Sequence, residues 1–219
     1  MKAFASFSGG KESVLSCYRA TKLGINISYL VNMTSCDGRY CRSHGISWEV
    51  LRIQAEGIGI PVIQGKTTWR DYEERFKRVI SRMEKEGIRA GVFGDIDLQE
   101  HRCWVERVCS EVGIKPILPL WGEEREQILK EFIKVGFKAI IVATKADLLG
   151  KEWLGRRIDE EFLKDLKTLG IDLCGERGEY HTFVFDGPLF RKPMKIITGK
   201  RVLKRNHWFL EIVPKEGVG

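Results

Sequence analysis

Lys2-Ala3-Phe4-Ala5-Ser6-Phe7-Ser8-Gly9-Gly10-Lys11-Glu12-Ser13 is the stretch that decides the fold. A short apolar run leads into two glycines, and a helical pattern follows from about Glu12 to Leu23. A second apolar run, Ile27 to Val31, then reads as a strand, so the chain opens on a strand–helix–strand unit. The glycine turn therefore falls at the carboxyl edge of a parallel sheet, where ligands bind in open α/β folds. Two glycines let successive backbone N–H groups turn toward a phosphate. The helix start adds partial positive charge, and Ser8, Lys11 and Ser13 supply further donors. A polyphosphate seat is expected. It is not a Walker loop, because Glu12 rather than Ser or Thr follows Lys11 and no glycine lies at the required earlier position. Thr144-Lys145-Ala146-Asp147 imitates a guanine-recognition motif, but without a Walker loop it reads as a loop after a buried strand.

Outward from this unit the alternation continues. Glu49 to Gly57 reads as a helix and Pro61 to Gln64 as a strand. Trp69, Tyr72, Phe76, Val79, Ile80 and Met83 recur at helical spacing as a core-facing stripe, with Thr68 as its cap. Ala90 to Gly94 is the next strand, and Val105, Val108, Cys109 and Val112 line the helix after it. Pro116 and Pro119 bracket the end of this region. Beyond Trp121 the pattern restarts with a helix carrying Ile128, Leu129, Phe132 and Ile133, a strand from Lys138 to Ala143 and a helix from about Asp159 to Leu169. Three strand-like runs follow, Tyr180 to Phe185, Met194 to Thr198 and Trp208 to Val213, separated by Asp186-Gly187-Pro188 and Thr198-Gly199-Lys200. The expectation is an α/β protein: a parallel nucleotide-binding sheet flanked by helices over residues 1–120, and a smaller C-terminal α+β lobe over 121–219. The last five residues are expected to fray.

The 219 residues are 43% hydrophobic, enough for a sizeable core, and no apolar run approaches the roughly 20 residues of a membrane span. With no signal-like start, a cytoplasmic protein is expected. The six cysteines form no Cys-x-x-Cys pair, which speaks against a disulfide framework. Cys36, Cys41 and His44 lie close in sequence, but no fourth ligand is near, and no metal site is assigned. A net charge of +7 suits an anionic partner without choosing among phosphate, RNA and an acidic surface.

Two further groups of residues carry chemistry. Asp95 and Asp97, after Gly94, follow the apolar strand Ala90 to Phe93, placing two carboxylates at the sheet edge that carries the glycine turn, where they could orient Mg²⁺ or substrate; the alternative for Asp97 is a cap of the next helix. His44 in Arg42-Ser43-His44-Gly45, and His101-Arg102, flank loops of the same kind and suit phosphate or substrate contact, although a lone histidine is more often structural. Glu176, Glu179 and His181 lie within six residues, beside Gly175 and Gly178. Taken alone they read equally as acid–base groups or as turn acids with a strand histidine.

The loop Ser8–Ser13 resembles the Ser-Gly-Gly-x-x-Ser signature of the N-type ATP pyrophosphatases, the PP-loop proteins. Gly94-Asp95-Ile96-Asp97 with His101-Arg102, Pro119-Leu120-Trp121, Trp153-Leu154-Gly155 and above all Cys174-Gly175-Glu176-Arg177-Gly178-Glu179-Tyr180-His181-Thr182, ending in Asp186-Gly187-Pro188-Leu189-Phe190, resemble the diphthine-ammonia ligase family. The resemblance runs from about Ala3 to Phe190. It implies a PP-loop fold and an ATP-dependent ligase in which a substrate carboxylate attacks the α-phosphorus, pyrophosphate leaves and ammonium displaces AMP. It implies Lys11, Asp95, Glu176, Glu179 and His181 as catalytic. ATP and Mg²⁺ would be held by Ser8, Gly9, Gly10, Lys11 and Ser13, by Met33 at the end of the second strand, and by His44, Gly94, Asp95, Asp97, His101 and Arg102.

In eukaryotic and several archaeal members the long motif reads Gly-Glu-Gly-Gly-Glu-(Tyr/Phe)-Glu-Thr. Here Arg177 replaces a glycine and His181 a glutamate, and Asp97-Leu98-Gln99-Glu100 stands where those members carry a serine and a Tyr-Gln pair. In these respects the chain is similar to a subgroup found also in bacteria, which lack diphthamide. The implied partners are ATP, ammonium and a carboxylate-bearing substrate, either modified elongation factor 2 or a cobamide precursor. A tRNA-modifying PP-loop enzyme is the rival, although no nucleic-acid partner is expected. A homodimer is left open. Free ammonium is expected as nitrogen source, since little sequence is left for a glutamine-hydrolysing domain.

Overall fold

The structure is a computed structural model and describes residues 1–41 and 44–214. Arg42 and Ser43, and the tail 215–219, lie outside the described residues. Five parallel strands form the first sheet: β1 (Lys2–Ser6), β2 (Asn26–Thr34), β3 (Val62–Lys66), β4 (Ala90–Val92) and β5 (Lys115–Ile117), in the order β3-β2-β1-β4-β5. β1 is central, and a strand covered on both faces reads as a continuous apolar run. Ala3, Phe4 and Ala5 are accordingly all fully buried. Phe4 points into a core built with Phe76, Ile80, Val105 and Val108 from helices α3 (Tyr72–Lys85) and α4 (Gln99–Glu111). It meets the ring edges of Phe76 and Phe93 at 6.1 and 5.8 Å. Ala3 and Ala5 face the larger core with Val14 and Leu15 of α1 (Lys11–Lys22) and Val50 and Leu51 of α2 (Trp48–Ile58). Small side chains on that face let α1 lie close to the sheet.

The second sheet is antiparallel, in the order β7-β6-β9-β8, from β6 (Lys138–Lys145), β7 (Tyr180–Asp186), β8 (Ile196–Lys204) and β9 (His207–Pro214). Ala139 to Thr144 of β6 are all buried. Helices α5 (Arg125–Lys134) and α6 (Glu160–Leu169) contribute Ile128, Leu129, Phe132, Phe162 and Leu166 to the larger core. Asp159 caps α6 by accepting the Phe162 N–H at 2.9 Å, satisfying one of the amides a helix start leaves unpaired.

Three local expectations are corrected. Trp69 is 72% exposed and precedes α3, stacking on Tyr72 at 6.1 Å instead of joining the buried stripe. Thr68 is not the cap: Asp71 holds that position, and its carboxylate takes the Thr68 N–H and hydroxyl at 2.6 and 2.7 Å, closing the turn locally. Thr198-Gly199-Lys200 is not a turn but an irregularity inside β8, where the register with β9 shifts between Thr198 and Arg201. The reversal falls at Arg205 and Asn206, with φ of 45° and 64°, a left-handed pair that reverses tightly twisted strands.

One connection positions everything that follows. β7 is an edge strand of its sheet, but that edge is covered by the glycine turn of the other sheet. The Val184 N–H donates to Gly9 O at 3.0 Å and the Lys11 N–H to Thr182 Oγ1 at 3.0 Å. Gln54 on α2 is fully buried, and its Nε2 donates to both Gly9 O and Val184 O, at 3.0 and 2.6 Å. The β7 edge is thereby hydrogen-bonded rather than left open.

Candidate active site

The strand order reverses direction between β1 and β4, which opens a crevice outside their carboxyl ends. The crevice is roofed by the segment that enters β7. The resulting cavity is lined by Ser8, Lys11, Glu12, Ser13, His44, Gly94, Asp95 and His101 on one side and by Cys174, Gly175, Glu176, Gly178, Tyr180, His181 and Thr182 on the other, with Ser6 at the base.

The glycine turn is shaped by what surrounds it. Gly9 has φ of 81°, and its carbonyl is drawn inward by Gln54 and Val184. A β-carbon on Gly10 would strike the His44 ring and come within 3.3 Å of Thr182 O. The first backbone bond back along α1 is from Val14 to Gly10 O at 3.1 Å, so the amides of Lys11, Glu12 and Ser13 precede the helix's own ladder. The Lys11 amide is taken by Thr182. The Lys11 side chain is 3% exposed and turned inward. Its ammonium donates to Cys174 O at 2.6 Å, pairs with Glu12 Oε1 at 2.6 Å and lies 4.5 Å from the Tyr180 ring centre. Burial opposes its charge, but Glu12 and the neighbouring Tyr180 and Cys174 outweigh that and hold its pKa above the ordinary lysine range.

The facing segment is partly buried and carries acidic side chains. Burial, with Glu12 and Asp95 nearby, pushes the Glu176 carboxyl up to about 7, against the opposing pull of Lys11 and Arg125. His44 and His181 stack with ring centres 4.6 Å apart. His44 Nδ1 lies 3.1 Å from Thr182 O. Burial brings His44 down to about 4, and burial with His44 and Lys11 nearby holds His181 well below its usual range, so both rings are neutral at pH 7. At the open side His101 Nδ1 meets Asp95 Oδ1 at 3.1 Å, which raises the imidazole above its ordinary value. Gly175, with φ of 68°, allows the tight entry to β7: a β-carbon there would sit 2.8 Å from Tyr180 O.

The structure thus brings together Ser8, Gly9, Gly10, Lys11, Ser13, His44, Gly94, Asp95, His101, Glu176 and His181. Four expected residues are placed elsewhere. The Met33 side chain is 6% exposed in the core under α3. Arg102 donates to Glu106 at 2.6 Å and lies over the Trp121 ring at 5.0 Å. Asp97 pairs with Arg125, and Glu179 accepts the Arg177 N–H at 3.0 Å; both line a second cavity beside the first. Glu12, Tyr180 and Thr182 line the site without having been singled out from the sequence. All three lay inside motifs already quoted; Glu12 pairs with the adjacent Lys11, and only the bond from the Lys11 N–H to Thr182, across 171 residues, shows what Thr182 does. Among the described residues no group of three or more His, Cys, Asp or Glu is arranged to hold a metal. Among them no helix is long and apolar enough to cross a membrane.

A parallel sheet with a glycine turn at its switch point, joined to a smaller antiparallel sheet, defines an α/β protein of the PP-loop type. Residues 1–116 match the family described as Diphthamide synthase N-terminal domain, and residues 124–217 match Diphthamide synthase C-terminal domain. The chain belongs to the diphthamide synthase family. It is 30% identical to the protein named "Diphthine--ammonia ligase" of Rattus norvegicus over 228 residues, covering 93% of this chain and 85% of that one. It is 28% identical to the protein of the same name from Schizosaccharomyces pombe, of which it spans 38%. A crystal structure titled as a predicted subunit of tRNA methyltransferase from Methanocaldococcus jannaschii aligns with TM-score 0.48 at 19% identity, over 86% of this chain and 98% of that one.

Proposed function

We propose that this protein is an ATP-dependent amide-forming ligase that adenylates a substrate carboxylate and joins it to ammonium, releasing AMP and pyrophosphate, with a diphthine-bearing protein as acceptor. The observation that carries this reading is the single cavity in which a glycine phosphate turn and the Glu176 carboxyl face each other, in a member of a family whose relatives are named for this ligation. In this reading residues 1–120 hold ATP and residues 121–219 present the acceptor.

The residues suit a nucleotide. The amides ahead of the α1 ladder and the Ser8 and Ser13 hydroxyls are donors at the start of a helix. The Lys11 charge is already engaged by Glu12, while Glu12, Asp95 and Glu176 add carboxylates to a cavity meant for a polyanion. A cation arriving with the nucleotide answers that excess: Asp95 would hold Mg²⁺, which offsets phosphate charge. Glu176, poised near neutrality, accepts a proton from ammonium and leaves ammonia as the nucleophile. His181 and His44, neutral and half-buried, orient the acceptor and exclude water that would hydrolyse the acyl-adenylate. Attack at the α-phosphorus is favoured because nothing here resembles the Gly-Lys-Ser/Thr arrangement that serves terminal transfer.

The test is the bond that breaks. With γ-labelled ATP, Mg²⁺, ammonium and purified diphthine-bearing elongation factor 2, label should be recovered in pyrophosphate, with AMP in equal amount. Label in orthophosphate with ADP as the nucleotide product would sink the proposal.

A further inference from the structure

Arg125 opens α5, and its guanidinium lies between two carboxylates from separate loops. Nε and Nη2 donate to Asp97 Oδ2 and Oδ1, each at 2.8 Å, and Nη1 donates to Asp172. The Asp172 side chain is only 8% exposed. Its two oxygens also accept the backbone N–H groups of Cys174, at 2.9 Å, and Glu176, at 3.2 Å. A continuous chain of charge-assisted hydrogen bonds therefore runs from the loop after β4, through the start of α5, to the backbone that carries Glu176. Asp97, Arg125 and Asp172 line the second cavity rather than the first, so they do not touch what the first one binds.

The geometry points to Arg125 and Asp172 as positioning residues for the amide-forming step: they fix the backbone at Cys174 and Glu176 and so aim the Glu176 carboxyl into the cavity. The inference rests on Glu176 being the group that handles ammonium. The planar guanidinium is what makes the arrangement work, since a fork can serve two carboxylates at fixed angles whereas a lysine supplies one point charge. Asp172 is the relay: held by Arg125, its two carboxylate oxygens are oriented acceptors for the backbone N–H groups of Cys174 and Glu176. The nucleotide turn is held mainly by Gln54, Thr182 and Val184 and meets this chain of contacts only where the Lys11 ammonium donates to Cys174 O, so ATP binding should respond to its loss far less than the ammonium-dependent step.

The full-length protein carrying Arg125→Met, Arg125→Lys or Asp172→Asn tests it, with Asp172→Asn standing in if Arg125→Met folds poorly. Residue-resolved hydrogen exchange should accelerate at least about tenfold at the Cys174 and Glu176 amides in Arg125→Met and Asp172→Asn. Calorimetric ATP affinity should stay within about threefold of the parent, ammonium-dependent turnover should fall at least about tenfold, and Arg125→Lys should recover part of it. Unchanged exchange at both amides overturns the inference. So does full turnover in Arg125→Met when Glu176→Gln is impaired, an outcome that leaves the role of Glu176 standing. Full turnover in Glu176→Gln instead removes that role, and the positioning inference with it.

Discussion

The two walls of the cavity are built on opposite plans. The Ser8–Ser13 wall is contiguous in sequence and works largely through its backbone: its lysine is turned inward onto Cys174 O and Glu12, and what faces the cavity is a helix start with two hydroxyls and the Glu12 carboxylate. The Cys174–Thr182 wall works through side chains in a half-buried setting, where the Glu176 carboxyl is raised to about 7 and the His181 imidazole, stacked on His44 of the other side, is held neutral. The first wall should therefore yield only to bulk, and the second to changes of charge or proton affinity that leave shape alone.

The sharpest contrast comes from Gly10→Val. Its added carbons meet the His44 ring and the Thr182 carbonyl, so ATP affinity measured by calorimetry should fall at least about hundredfold, a loss near 3 kcal/mol. Retained affinity would show that the turn is not the phosphate seat. Glu176→Gln should do the reverse, leaving ATP affinity within about threefold while slowing turnover at limiting ammonium by about hundredfold, the usual scale of a lost proton-transfer group. If ATP affinity falls as well, the two walls are not separable as described.

Thr182→Val probes the seam between them. It keeps shape but removes the acceptor of the Lys11 N–H, and a buried amide left unpaired costs about 1–3 kcal/mol. Urea unfolding should show that loss, and an unchanged midpoint would mean the amide finds another partner.

The smallest effects are those of pH on stability, and they have opposite signs on neighbouring groups. Glu176 has its folded pKa raised from 4.5 to about 7, so the folded state holds the proton more tightly and stability declines as pH rises through that window. Glu176→Gln should raise the melting temperature by a few degrees at pH 8, at about 2–4 °C per kcal/mol for a chain of this size, with no gain below pH 4.5. His44 has its folded pKa lowered from 6.5 to about 4, so its stability contribution is complete above 6.5 and is lost as pH falls toward 4. His44→Gln should lose less on acidification than the parent. Melting curves at pH 4, 6 and 8 decide both signs.

Much of this protein is determined within a few residues of chain. Consecutive burial of Ala3, Phe4 and Ala5 and the glycines after them dictate a central strand and its turn, because period and backbone freedom are local properties. The helix start near Asp159, the Phe76–Ile80–Met83 stripe and the placement of Ser8, Glu176 and His44 beside glycine turns are legible for the same reason. The reversal at Arg205 and Asn206 was not, since Gly199 offers the stronger turn signal and only the ladder with β9 absorbs it as an irregularity. Tertiary structure alone decided that β7 lies along the glycine turn, that Lys11 spends its charge on Glu12 and Cys174, and that Asp97 reaches Arg125 instead of the cavity. Hydrogen bonds and proton affinities depend on which groups burial brings within reach, and residues up to 171 positions apart carry no local mark of that meeting.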